Sequence, residues 1–431
     1  MRFLDELAAR RRFGMRPGLE TIRGLCAALG HPEQRLGKVV HVAGTNGKGA
    51  VCALLDSCLR AAAVGKVGRY TSPHLVKLNE RFFLDGAPVD DTALERMSAL
   101  VSSVLRPSPI PSPSPLALTP NPSPTFFEAL TAVAFLVFAE AKTEYAILET
   151  GLGGRLDATN VCQPALSVIT RIGLDHCDWL GDTVEKIAAE KGGIVKRGVP
   201  VLLARNPPEV CAVIARIAAE RAAPFHYAPE LADAAELPRN LSLAGVFNRE
   251  NAVTALAALK LLLADDPSRF DASLAGFGKT VWPGRFQLAN GFLVDGAHNP
   301  PAATALAAAL RERYPDEKFP LVAGFCGDKD VVATLRILAP FVSEGLAVKT
   351  NNPRSLDAAT TAAKMREAGI ASRSCGSLAA AFAAVPPRTD GSPRALVCGS
   401  LFLAGEAIVE LGAYPWGVAR FDASEALRPS F

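Results

Sequence analysis

The sequence predicts an α/β protein of two units: a larger parallel-sheet domain of the P-loop type, then a smaller Rossmann-like α/β domain. Three observations carry this. Short apolar runs alternate with segments at helical spacing, the pattern of strands joined by crossover helices. The alternation breaks at Trp282-Pro283-Gly284-Arg285 and resumes near residue 292, because proline and glycine interrupt both periods. The first strand runs into Gly44-Thr45-Asn46-Gly47-Lys48-Gly49, a glycine-rich turn with a lysine. With 431 residues the chain exceeds one small core, and about 150 residues per domain gives two or three domains. The units are placed at 1–284 and 285–431.

Composition narrows the function classes. Hydrophobic residues make up 49% and charged residues 21% of the chain, the balance of a soluble globular protein. The net charge of +3 and an aromatic content of 7% give no electrostatic footprint or stacking platform for nucleic acid. Nine cysteines lie scattered without CxxC pairs, which reads as reduced, buried thiols. Residues 1–13 are charged throughout and do not read as a signal peptide. No apolar run reaches the ~18 residues that span a bilayer. A cytoplasmic protein with no membrane partner is expected.

The elements follow in order. Residues 4–30 have helical spacing, with Pro17 opening a second segment. The first strand, 39–43, the glycine loop and a helix over 50–63 come next. A strand over 66–70 leads into Thr71-Ser72-Pro73-His74, and a helix is predicted over 91–105. Residues 107–124 alternate proline with serine. Proline removes donors and favours extended geometry, so this is a surface insertion, or else a ligand for an aromatic groove on a partner. An apolar helix over 126–141 precedes a strand over 145–148 that delivers Glu149. A strand over 165–170 leads toward Asp175-His176, a helix from 183 ends at Lys191, and a strand covers 199–204. In the second unit, strands at 292–294, 321–323 and 395–398 flank helices from 302 and after Asp330.

In open α/β sheets, ligands bind beyond the carboxyl ends of the strands. The glycine loop, Ser72, Glu149, His176, Asp295 and His298 all share that address. The loop is the recipe for a polyphosphate: backbone N–H groups, a helix N-terminus and a lysine. It departs from the full P-loop pattern, since two residues separate Gly44 from Gly47 and no hydroxyl follows Lys48 directly. Nucleotide binding is expected, so the first unit reads as a P-loop ATPase domain. Glu149 is a Mg²⁺ ligand or a capping carboxylate. His176, beside Asp175 and Asp178, is a metal ligand or a core histidine. Lys191 alone reads as a surface residue. Asp295 and His298 reach across to a nucleotide or stabilise a tight turn.

The motifs together resemble the Mur ligase superfamily, and within it the folylpolyglutamate synthase/dihydrofolate synthase family. The resemblance is carried by His41-Val42-Ala43-Gly44-Thr45-Asn46-Gly47-Lys48-Gly49, by Tyr70-Thr71-Ser72-Pro73-His74-Leu75 with Asn79-Glu80-Arg81, and by Glu149 through Asn160. Leu174-Asp175-His176, Glu190-Lys191-Gly192-Gly193-Ile194, Trp282-Pro283-Gly284-Arg285, Asp295-Gly296-Ala297-His298-Asn299-Pro300, Asp328-Lys329-Asp330 and Gly399-Ser400-Leu401 continue in the family's order.

The resemblance implies an ATP-dependent amide ligase. ATP phosphorylates a substrate carboxylate, and the amine of L-glutamate attacks the acyl phosphate. It implies that Lys48 and the amides of Gly44, Thr45, Asn46, Gly47 and Gly49 hold phosphates. Ser72 and Glu149 hold one Mg²⁺, and His176 helps hold a second near the acyl phosphate. Lys191 matches a lysine that CO₂ carboxylates in the superfamily; Lys48, His176 and Lys191 are thereby the catalytic set. Asn251 is the adenine-side contact, and Arg285, Asp295 and His298 close over the nucleotide. Thr125, Phe127, Asp157 and Ala158 match the dihydropteroate pocket, implying the bifunctional type that adds glutamate to 7,8-dihydropteroate and to reduced folates. A monomer is expected.

Three departures stand out. Ala50 replaces a Ser or Thr, Phe247-Asn248 replaces His-Gln, and Gly192 replaces an alanine. The proline-rich insertion is not a family feature. Rival readings are a cell-wall amino-acid ligase of the same superfamily, a P-loop ATPase or kinase without ligase activity, and a nucleotide sensor that has lost catalysis.

Overall fold

The structure is a computed structural model, and it describes residues 18–105 and 124–417. Of the helix predicted over 4–30, Glu20–Ala28 is helical, and residues before 18 lie outside the described residues. So does the proline-rich segment up to residue 123.

The first sheet contains β1 (Lys38–Ala43), β2 (Val67–Tyr70), β3 (Phe82–Leu84), β4 (Ala87–Pro88), β5 (Tyr145–Glu149), β6 (Pro164–Ile169), β7 (Val201–Leu203) and β8 (Phe225–Tyr227). Their order is β4-β3-β2-β5-β1-β6-β7-β8, and only β3 runs against the direction of the others, so that both of its pairings are antiparallel. β1 is central because it is buried along all but its first residue, as a strand covered on both faces must be. Its side chains alternate between two cores. Val40 and Val42 face the helices Lys48–Ala61 and Val246–Leu262, whereas Val39 faces the apolar helix Phe126–Ala141. Val42 lies level with Glu149 on one side and Val168 on the other. The loops after β2, β5, β1 and β6 therefore stand side by side at one edge.

The second sheet contains β9 (Gln287–Ala289), β10 (Phe292–Val294), β11 (Phe319–Ala323), β12 (Val342–Ala347), β13 (Ser372–Ser374) and β14 (Ala395–Cys398). The order is β13-β12-β11-β14-β10-β9, parallel except for edge strand β9. Helices Pro300–Arg313 and Leu401–Glu410 follow β10 and β14. Among the described residues no helix is long and apolar enough to cross a membrane.

Two differences from the sequence reading have local causes. The helix after the glycine loop starts at Lys48, because Gly47 takes a left-handed φ of 87° and caps it. Two hairpins were not anticipated. Asp85-Gly86 and Asn290-Gly291 each hold two successive positive φ angles, the two-residue turn that suits antiparallel twist. The thiols also differ from a uniformly buried set. All nine are free, but Cys177 is exposed and Cys211 and Cys375 are half-buried.

Candidate active site

A cavity of about 1260 Å³ opens at the carboxyl ends of both sheets and takes its wall from both. Residues Thr45 to Ala50 form one side, with Ser72, Glu149 and His176 beside them. Asn251, Arg285, Asp295 and His298 line it, as do Thr125, Phe127, Asp157 and Ala158. Gly44 and Lys191 stand just behind the wall, joined by a hydrogen bond from Lys191 Nζ to the Gly44 carbonyl at 2.8 Å.

The glycine loop divides its amides. Thr45 and Asn46 donate theirs to the Arg171 carbonyl at 2.9 and 3.1 Å, pinning the loop to the segment after β6. The N–H groups of Gly47, Lys48, Gly49 and Ala50 are those the helix leaves without an intrahelical acceptor. An anion therefore meets the helix N-terminus rather than the whole loop. Gly44, at φ 153°, has no room for a side chain: a Cβ there falls 1.8 Å from Thr170 Oγ1. Lys48 Nζ lies 3.4 Å from the Thr45 carbonyl and 4.0 Å from Glu149 Oε1.

Glu149 is buried, and its Oε2 accepts the Ser72 amide at 3.0 Å. Burial pushes its carboxyl above the usual range, opposed by the Lys48 charge and the Ser72 amide. Ser72 Oγ is buried beside it with no hydrogen-bond partner. An orphaned hydroxyl next to a carboxylate is a hard-oxygen pair of the kind Mg²⁺ takes with substrate phosphates. Among the described residues no three His, Cys, Asp or Glu side chains converge on a metal position, and a Mg²⁺ ion held by one carboxylate ordinarily completes its shell with water and substrate phosphate oxygens. His176 stands on the turn after β6 at φ 52°, half exposed, with Nε2 3.8 Å from Asp175 Oδ2. Burial lowers its pKa against the pull of Asp175. Lys191 is pushed down to about 7 by burial, and the Lys48 charge pushes the same way.

Asp295 spends both oxygens on backbone amides, from Phe286 and Ala297, each at 2.8 Å. Asp295 thus stabilises its own turn and also stands on the cavity wall. Burial lowers the His298 pKa; its Nδ1 bonds the Gly296 carbonyl at 2.8 Å. Asn251 fills the space a Gly47 side chain would need, its Oδ1 2.2 Å from that Cβ position. Thr125 caps the helix Phe126–Ala141 reciprocally with Glu128. Asp157 is buried and accepts from the amides of Gly151, Leu152 and Thr159 at 2.8 to 3.0 Å. Phe127 stacks at 5.9 Å from Tyr70.

The Mur ligase middle domain matches residues 42–218, and the Mur ligase glutamate ligase domain matches 284–401. The chain is 38% identical over 345 residues to the dihydrofolate synthase/folylpolyglutamate synthase of Bacillus subtilis, covering 74% of this chain and 78% of that protein. The chain belongs to the dihydrofolate synthase/folylpolyglutamate synthase family. Escherichia coli FolC in complex with DHPP and ADP superposes with a TM-score of 0.81 at 31% identity, covering 96% of this chain and 97% of that one. A family member with Mn, AMPPNP and L-glutamate bound gives 0.77 at 30% identity, covering 92% and 95%. A member of this family is an ATP-dependent ligase that forms carbon–nitrogen bonds and joins L-glutamate to folates. The α/β fold read from the sequence is the family's fold.

The sequence reading did not single out several wall residues of this ligase. Arg81 is fully buried, with Nε 3.0 Å from His74 Nδ1 and Nη2 unpartnered. Its place in Asn79-Glu80-Arg81 was the only signal. Trp179 and Trp416 also line the cavity, and no spacing marks an aromatic as a wall residue rather than a core one.

Proposed function

We propose that the cavity binds ATP, a pteroate or folate carboxylate and L-glutamate together, and that the chain is the bifunctional type. It would act on 7,8-dihydropteroate first and on reduced folates afterwards. The convergence of the Gly47–Ala50 amides, Lys48, the Ser72–Glu149 pair and the Asp157 loop on one cavity carries this reading. Lys48 and the helix N-terminus neutralise the β- and γ-phosphates. The folate carboxylate oxygen attacks the γ-phosphorus, and ADP leaves. The glutamate nitrogen then attacks the acyl carbon, loses a proton and expels phosphate, leaving the amide. Both steps are served by positioning and charge stabilisation.

Ser72 Oγ and Glu149 would hold one Mg²⁺, and His176 would contribute to a second. The metal supplies charge neutralisation at the phosphate oxygens. Lys191, whose burial lowers its pKa to about 7 and leaves about half of its amines neutral at that pH, is suited to accept CO₂ and become an anion that supports the metal site from behind the loop. Thr125, Phe127, Asp157 and Ala158 would form the pteroate arm, with Thr125 and Asp157 shaping it through the backbone bonds they make. Asn251 would meet the adenine side, and Arg285, Asp295 and His298 would close over the nucleotide from the 285–431 unit. Nine free thiols support a reducing compartment, the cytoplasm.

Phosphate release from ATP should require Mg²⁺, glutamate and dihydropteroate or a reduced folate together. Turnover at an equal rate without glutamate would replace the ligase reading with that of an ATPase.

A further inference from the structure

The loop that carries Ser72 does not stand on its own sheet. Residues 72–81 leave β2 and end in the turn Leu78–Arg81. Glu80 organises the loop from inside: its Oε2 accepts the Leu75 amide at 2.7 Å, and its Oε1 accepts those of Val76 and Lys77 at 3.0 and 2.8 Å. The other end of the chain reaches the same carboxylate. Tyr414, beyond the last helix of the second unit, donates its hydroxyl to Glu80 Oε1 at 2.9 Å.

Two more contacts reach this region from the second unit, one to Phe83 on β3 just beyond the loop and one to Leu75 within it. Trp416 meets Phe83 edge to face at 5.0 Å, and Tyr414 lies 5.6 Å from Trp416. The Arg69 guanidinium sits 3.8 Å from the Phe83 ring centroid. Leu75 packs against the core of the second unit, with Leu403 and Ala404. Gly405 makes this approach feasible, since a Cβ there would fall 2.3 Å from the Leu75 carbonyl oxygen. The Ser72 loop is thus gripped by the helix Leu401–Glu410 on one side and by the 414–416 segment on the other.

We propose that Tyr414 and Trp416 are positioning residues for ligation: they strap the second unit to the Ser72 loop, so that Ser72 reaches its place beside Glu149 only when the two units are docked. This rests on the reading of Ser72 as a Mg²⁺ ligand in one respect, its consequence for the metal; the strap itself does not. Coupling docking to the metal site means that the acyl phosphate is made only after the unit carrying His298 has closed, which keeps water from it.

The test compares the full-length chain with Tyr414→Phe, Trp416→Ala, the double variant and Ser72→Ala. Trp416→Phe, which keeps an aromatic edge on Phe83, is the conservative control. Two quantities are read: amide hydrogen exchange of residues 72–83, and the Mg²⁺ concentration giving half-maximal ligation at saturating ATP. The double variant should speed exchange in 72–83 by about tenfold, leave the central strand β1 unchanged, and raise the half-saturating Mg²⁺ by about fivefold. Trp416→Phe should restore most of both effects of Trp416→Ala. Unchanged exchange in the folded double variant overturns the strap. Faster exchange with unchanged Mg²⁺ demand, while Ser72→Ala raises that demand, overturns the coupling and leaves a merely structural contact. If Ser72→Ala itself leaves Mg²⁺ demand unmoved, the metal reading of Ser72 has failed, and the exchange data alone decide the strap.

Discussion

Lys191 offers the sharpest test of the chemistry. Its ammonium falls from an ordinary 10.5 to about 7 because it is buried beside Lys48. At pH 7 about half of the side chains are then neutral, against roughly one in 3,000 at the ordinary value, a difference of roughly 5 kcal/mol against the charged form. Only the neutral amine adds CO₂, so at fixed CO₂ pressure the adduct should grow as pH rises from 6 to 8. Carbon-13 NMR with labelled CO₂ should show a carbamate signal that disappears in Lys191→Arg. Removing the adduct with Lys191→Ala should lower ligation by about 100-fold, the scale of losing a group that supports a metal site. The fold should report the same titration. The folded pKa lies below the unfolded one, so the burial penalty is fully present below about pH 7 and fades as pH rises toward 10.5. The CO₂-free protein therefore gains stability with pH across that window, and Lys191→Met should flatten the gain. A Lys191→Ala enzyme within tenfold of wild type, or no carbamate signal between pH 6 and 8, would refute the assignment.

Three further outcomes are expected. Glu149→Gln should lower kcat by about 100-fold or more while the thermal midpoint holds or rises, because the neutral amide avoids the burial penalty and its oxygen still accepts the Ser72 amide; a loss of less than tenfold would remove Glu149 from the metal site. Gly44→Ala should cost about 2 kcal/mol or more in urea unfolding, since the new Cβ falls 1.8 Å from Thr170 Oγ1; a shift under half of that would mean the loop yields easily. Asp157→Asn should cost about 2 kcal/mol, because the amide nitrogen that replaces one oxygen cannot accept, so either the Gly151 and Leu152 amides or the Thr159 amide and hydroxyl lose their acceptor, and should raise KM for dihydropteroate while KM for ATP stays level; equal changes in both would place Asp157 outside the pteroate arm.

Much of the fold was legible because its signals are local. The helix Phe126–Ala141 and the start of the helix at Asp91 fall where the sequence pattern places them. The short β3–β4 and β9–β10 hairpins escaped notice, although Asp85-Gly86 and Asn290-Gly291 carry the turn chemistry, because strands of two or three residues offer no period to read. For the site, the sequence pointed to Ser72, Glu149 and the glycine loop, each at a strand end. It did not foresee that Thr45 and Asn46 spend their amides on Arg171, nor that Asp295 spends both oxygens within its own turn. Those are partner choices, made by whatever group lies nearest in space.

The first strand and its loop show the division most clearly. The run Val39-Val40-His41-Val42-Ala43, the glycines and Lys48 determine locally that a strand must end at a helix N-terminus able to meet phosphate. Glycine conformation and apolar patterning act over a few residues, so the amino-acid order is enough. What faces that terminus was decided by tertiary structure alone. The order β2-β5-β1-β6 sets Ser72 and Glu149 beside Lys48, and Lys191 beneath Gly44, 147 residues away in the chain. The docked second unit adds Tyr414 to Glu80 across 334 residues. Burial, and with it the altered proton affinity of Lys191 and Glu149, exists only once those distant segments exclude water.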